Sequence, residues 1–162
     1  MNKKEVSINI KSVQIAENER DTTELFTCGK LSFPKSRRGG DASDYTLSYN
    51  ESEVTGFAGN KISLAVTGDN MVVMQRSGNA PSNLIIEKGK KHHCHYGTPY
   101  GDFMVGITAD DVVCSFNGNG DDNSVEGSLY LKYTIDINST LMSENEMYID
   151  FKDISKEKES EA

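Results

Sequence analysis

His92, His93, Cys94 and His95 put three imidazoles and a thiol into four consecutive positions. These are the donors that zinc and nickel take. On a β-strand, side chains alternate, so His93 and His95 share one face while His92 and Cys94 share the other. A His-x-His pair can chelate one ion, and a tetrahedral site then needs at least one more ligand from a neighbouring strand. No second His or Cys cluster exists to supply it; Cys28, Cys114 and the carboxylates remain. The competing reading is a polar, partly exposed strand leaving Gly89-Lys90-Lys91. A metal site on His93 and His95 is therefore a third-ranked expectation.

The same segment continues as Tyr96-Gly97-Thr98-Pro99-Tyr100-Gly101. Proline fixes φ and suits the second position of a tight turn, which makes Thr98 to Gly101 a corner between two antiparallel strands. Tyr96, Thr98 and Tyr100 could orient a polar ligand head at a barrel mouth, or simply pack the corner. Arg76 shares strand parity with Val72 and Met74, so it faces inward if they do. A guanidinium there needs a partner. It either recognises a carboxylate with its planar fork or closes the barrel end through Glu51 or Glu53.

Other chemistries find no support. The stretch at 117–123 alternates oxygen-bearing residues, but Asp122 and Ser128 stand where a calcium-binding EF-hand loop needs Gly and Glu. No Gly-x-Ser-x-Gly elbow occurs, and no glycine pattern opens a helix for a dinucleotide. Cys94 points away from His93 and His95, so neither can easily activate it, and His92, two residues away on its own face, could lower its pKa only by chance geometry. No catalytic residue and no cofactor is nominated.

Strands must position these groups. Leu129, Leu131, Tyr133, Ile135 and Ile137 alternate with Ser128, Tyr130, Lys132, Thr134 and Asp136, the period-two signature of a half-buried strand. Val6-Ile8-Ile10, Tyr45-Leu47-Tyr49, Ile62-Leu64-Val66, Phe103-Val105-Ile107 and Met147-Ile149-Phe151 repeat it. Turn residues punctuate the runs at 39–41, 67–70, 77–79, 89 and 117–123. The helical period is sustained nowhere. Short strands at this spacing, about nine or ten of them, predict an all-β fold, either a sandwich or a single closed antiparallel barrel. The domain spans 1–154, and the apolar-free tail at 155–162 is expected to be disordered. Leu25, Leu31 and Phe33 oppose Phe26 and Cys28, and Leu84 and Ile86 oppose Ile85. Strands apolar on both faces need cover on both, which raises the expectation of a homodimer through one barrel wall.

Composition narrows the partners. The 162 residues carry 17 basic and 25 acidic side chains, a net charge of −8. Arg37-Arg38 and Lys88, Lys90, Lys91 are the main basic concentrations, too little for a phosphate backbone, so no nucleic acid is expected. No stretch approaches the roughly 20 apolar residues of a membrane helix, and residues 1–13, which alternate polar and apolar, are not expected to be a secretory signal. Three widely spaced cysteines suit reduced thiols in the cytoplasm.

The order of segments adds a resemblance. Residues 47–66 (LSYNESEVTGFAGNKISLAV), 71–78 (MVVMQRSG), 84–108 (LIIEKGKKHHCHYGTPYGDFMVGIT) and 129–138 (LYLKYTIDIN) resemble the YwiB-like family, the domain of unknown function 1934. Arg76-x-Gly78, Tyr96-x-Thr98-Pro99-Tyr100-Gly101 and Thr108 are its most specific pieces, and the resemblance covers about 6–154. It implies a bacterial, intracellular, calycin-like, lipocalin-related β-barrel and brings no catalytic residues. Many lipocalins close the barrel base with a Gly-x-Trp; this chain has no tryptophan. The leading expectation is a non-catalytic binding module for a small apolar or anionic ligand. Its candidate lining and mouth are Tyr49, Met74, Arg76, Tyr96, Thr98, Tyr100, Thr108 and Tyr133, around a cavity of about 300 Å³. The alternative is a filled barrel whose outer wall binds a partner chain.

Overall fold

The computed structural model describes residues 2–33, 44–50, 60–68, 70–78, 81–98, 101–118 and 125–154. Among these residues ten strands run in chain order: β1 (Asn2–Ala16), β2 (Glu19–Phe33), β3 (Tyr45–Asn50), β4 (Lys61–Thr67), β5 (Met71–Ser77), β6 (Ser82–Glu87), β7 (Lys91–Thr98), β8 (Gly101–Gly118), β9 (Val125–Ile137) and β10 (Thr140–Asp153). Each pairs antiparallel with its chain neighbours, and β1 pairs with β10 to close the barrel. Among the described strands, closure leaves no sheet edge to template association. The expected all-β closed barrel is the observed fold.

Alternation builds the wall. In β4 the apolar residues Ile62, Leu64 and Val66 are buried between exposed or half-buried neighbours. Leu47 and Leu31 continue the row across β3 and β2, with Leu31 opposite Leu47 and Leu47 opposite Leu64. Fully burying such a side chain contributes roughly 1.5–3 kcal/mol, so register is strongly specified: a one-residue slip would turn the whole row to water. The doubly apolar strands resolve without inner cover on both sides. Leu31 and Phe33 are buried, while Phe26 stands 72% exposed on the outer wall and Cys28 is exposed there too.

The two ends differ. Phe33, Tyr45, Phe116 and Phe151 meet where β2, β8 and β10 finish and β3 begins. Their ring centroids lie 5.1 to 6.1 Å apart in tilted and edge-on pairs. Gly127 makes room for this plug, since a Cβ there would sit 2.5 Å from Phe151 Cζ and 2.6 Å from the Ser115 carbonyl oxygen. At the opposite end, β1–β2 and β9–β10 turn through two residues each, Glu17-Asn18 and Asn138-Ser139, all four at positive φ between 52° and 68°. That is the twist-matched hairpin turn.

Several expectations shift in detail. β8 runs through Asn117 and Gly118, paired with Glu126 and Val125, so the turn expected from 117 begins later. The pairing of Thr98 with Gly101 agrees with the expected corner, while Pro99 and Tyr100 lie outside the described residues. So do the arginine-bearing loop at 34–43, Glu51 and Glu53, most of the acidic loop, and the tail from 155. Among the described residues no helix is long and apolar enough to cross a membrane.

Candidate site in the barrel lumen

Inner positions near the two-residue hairpins of β1–β2 and β9–β10 carry a different chemistry from the plug. A cavity of about 270 Å³ opens there between the inner faces of β1 to β7, β9 and β10. Ile10, Leu25, Ile62, Met74, Leu84 and Met147 give it an apolar wall. Tyr49, Arg76, Ser82, Tyr96, Tyr133 and Asn145 add polar groups to that wall. The volume sits just under the range of about 300–1,000 Å³ usual for ligand pockets.

Strand parity puts these residues inside. Arg76 lies opposite Ile62 and Ser82, which are both buried, and Met74 lies opposite Leu64 and Leu84. Tyr133 is 7% exposed. Burial pushes its hydroxyl well above the ordinary phenol value, Tyr96 adds to the rise, and the Arg76 charge opposes it. The three side chains thus share one electrostatic neighbourhood: two phenols and a guanidinium inside an apolar barrel. Asn145 is 8% exposed and donates from Nδ2 to Ser143 Oγ at 3.0 Å. Asp21 also lines the cavity but is itself exposed.

Of the residues expected from the sequence, Tyr49, Met74, Arg76, Tyr96 and Tyr133 border this cavity. Thr98 ends β7, with its side chain outside the described set, as is Tyr100. Thr108 does not belong. Val105, Ile107 and Ala109 take the inner positions of β8. Thr108 shares the outer face with Gly106, above which the Lys91–Asp136 ion pair closes at 3.1 Å. The physical reason is parity: Thr108 sits between two buried residues, so its side chain must point outward. Ser82, Leu84, Asn145 and Met147 were missed. Their signal was readable, because Asn145 and Met147 continue the period of Ile149 and Phe151.

The histidine cluster splits as alternation requires. Cys94 is 4% exposed and inward, and burial pushes its thiol up. His93 and His95 are exposed on the outer wall, with His95 Nε2 3.5 Å from Asp102 Oδ2. His92 Nε2 donates to Glu87 Oε1 at 2.9 Å; this bond, then Lys90 beside it, holds the Glu87 carboxyl below its ordinary value. Among the described residues, no three His, Cys, Asp or Glu side chains converge on a point that could hold a metal ion. All three cysteines are free. On the outer wall, Tyr130 and Tyr148 pack at 4.9 Å and both donate to Glu146, at 2.9 and 2.8 Å. Those bonds hold the Glu146 carboxyl low. A wider outer groove of about 600 Å³ borders Phe26, Asn9, Ser128 and Asp150, without the apolar wall of the lumen.

Comparison with known proteins agrees with this architecture. The crystal structure of the YwiB protein from Bacillus subtilis superposes with a TM-score of 0.73 at 16% identity, covering 93% of this chain and 92% of that one. At that identity the likeness shows the fold. Among curated proteins nothing matches. The family model described as domain of unknown function (DUF1934) matches residues 8–149. That span takes in nearly the whole barrel, and the chain belongs to this family.

Proposed function

We propose that the protein is a non-catalytic binding module that holds a small amphipathic anion in the barrel lumen. The observation that carries this reading is the meeting of Arg76, Tyr96 and Tyr133 on the wall of an otherwise apolar cavity of about 270 Å³. An apolar wall with a few convergent polar groups is the usual make-up of a small-molecule site. A guanidinium flanked by phenol donors matches a carboxylate better than it matches a neutral head group. Free cysteines suit a cytoplasmic setting for such a module.

Hexanoate and its neutral counterpart 1-hexanol separate the two halves of the claim. Hexanoate should bind more tightly by calorimetry, and Arg76→Leu should weaken it about tenfold or more, the loss expected from a charge-assisted hydrogen bond. The same variant should leave 1-hexanol unchanged. Equal losses for both probes, or binding of neither, would sink the reading.

A second reading draws on the outer wall, where Phe26 is 72% and Val113 51% exposed. Large exposed apolar groups favour a partner chain, here a second copy. Sedimentation across a concentration series decides it, since a strict monomer is incompatible with this reading.

A further inference from the structure

The shortest registered ladder of the barrel wall is the one between β6 and β7. β4 and β5 stay in register from Lys61–Ser77 to Thr67–Met71, and β7 and β8 from Lys91–Thr108 to Thr98–Gly101. Between β6 and β7 a single registered pair is recorded, Asn83 with His95. Side chains add further bonds across it. Gly97 N–H donates to Ser82 Oγ at 3.0 Å, and Ser82 O–H returns a longer bond to the Gly97 carbonyl at 3.5 Å. Ile85 N–H donates to Cys94 Sγ at 3.2 Å. Glu87 and His92 close the far end.

A backbone amide bonded to sulfur has a weaker partner than a carbonyl. Cooperative openings in a folded protein follow the least stable contacts first. The residues flanking this seam also matter, because Ser82 and Leu84 on one side and Tyr96 on the other line the lumen cavity.

We propose that the β6–β7 seam is a lateral door. The two strands part while the other ladders hold, and the gap leads into the lumen between Leu84 and Tyr96. The inference goes beyond the ligand reading, and its test uses no ligand, so each can fail alone.

Two disulfide staples of equal loop length make the test. Directly opposed antiparallel residues have Cα atoms about 4.5–5.5 Å apart, inside the disulfide range of about 4.4–6.8 Å. Asn83→Cys with His95→Cys staples the seam, and Ser63→Cys with Gln75→Cys staples the intact β4–β5 ladder. Both restrict the unfolded chain to the same extent. The readout is the rate at which iodoacetamide alkylates buried Cys94, followed by mass spectrometry. The seam staple should slow alkylation at least tenfold and the control staple should not. Equal slowing by both would mean that only whole-barrel unfolding exposes Cys94, and no slowing by either would mean that it is reached without the seam parting. Each result overturns the proposal. Hydrogen exchange on the unaltered protein gives an independent check: the Ile85 amide should exchange at least tenfold faster than that of Leu64, and equal protection contradicts the door.

Discussion

The barrel's two ends are made by the same strands, with the same alternation, and are filled differently. At one end Phe33, Tyr45, Phe116 and Phe151 fill the interior ring against ring. At the other, the inward positions carry Tyr49, Arg76, Ser82, Tyr96 and Tyr133, and a cavity remains. A barrel near this size can be filled by side chains or can hold one small ligand. Here one end is filled and the other keeps a cavity, and the difference is set by which residues occupy the last inward positions of the strands. The wall specifies the fold, and the end composition decides whether the interior is filled.

The largest expected effect tests the plugged end. Phe116 touches Phe33, Tyr45 and Phe151, so Phe116→Ala removes three ring contacts and leaves a void. It should cost about 3–5 kcal/mol in urea unfolding. Tyr49→Phe, at the cavity end, should cost under about 1 kcal/mol. Similar losses would erase the distinction between a structural end and a functional one.

A smaller effect comes from alkaline pH. The Tyr133 hydroxyl is held above its ordinary value of 10.0, first by burial. An unfolded chain releases that proton near 10 while the folded barrel retains it. The corresponding stability is whole below about pH 10 and is lost as pH rises through the folded value. Urea midpoints at pH 9, 10 and 11 should therefore fall, and should fall less steeply in Tyr133→Phe. Identical slopes would show that Tyr133 is not buried as a neutral phenol.

The smallest effect concerns the turn at the cavity end. Glu17 sits at φ 53°, where a Cβ is unfavourable and glycine is not. Glu17→Gly should gain less than about 1 kcal/mol without altering ligand response, separating turn strain from the site. A loss of stability instead would mean that the Glu17 side chain holds the hairpin.

Much of this was legible before any coordinates. Alternation in Leu129-Leu131-Tyr133 and Ile62-Leu64-Val66 is a direct imprint of a wall with one dry face, and it located both the strands and Tyr133. The same rule, applied strictly, would have excluded Thr108 and found Asn145. What alternation cannot reveal is which inner positions meet across the barrel. Nothing local says that Phe33 and Phe116, far apart in sequence, share one plug, or that Arg76 and Tyr133 share one cavity. The irregularities were equally hidden. The bulge between Ala109 and Asp111 and the sparse β6–β7 ladder depend on how long strands coil around a closed wall. The histidine cluster illustrates the opposite case, where residue types suggested chemistry and strand geometry dispersed them to two faces.

Methionines offer the most direct measurement of the central claim. Met74 and Met147 line the lumen cavity, whereas Met104 and Met142 are 64% and 47% exposed on the outside. Methyl NMR of protein labelled at methionine, titrated with hexanoate, reads both sets in one sample. A ligand held in the lumen predicts saturable shifts of Met74 and Met147 with a shared dissociation constant, while Met104 and Met142 stay still. Shifts confined to Met104 and Met142, or no shift at millimolar hexanoate, would contradict the account.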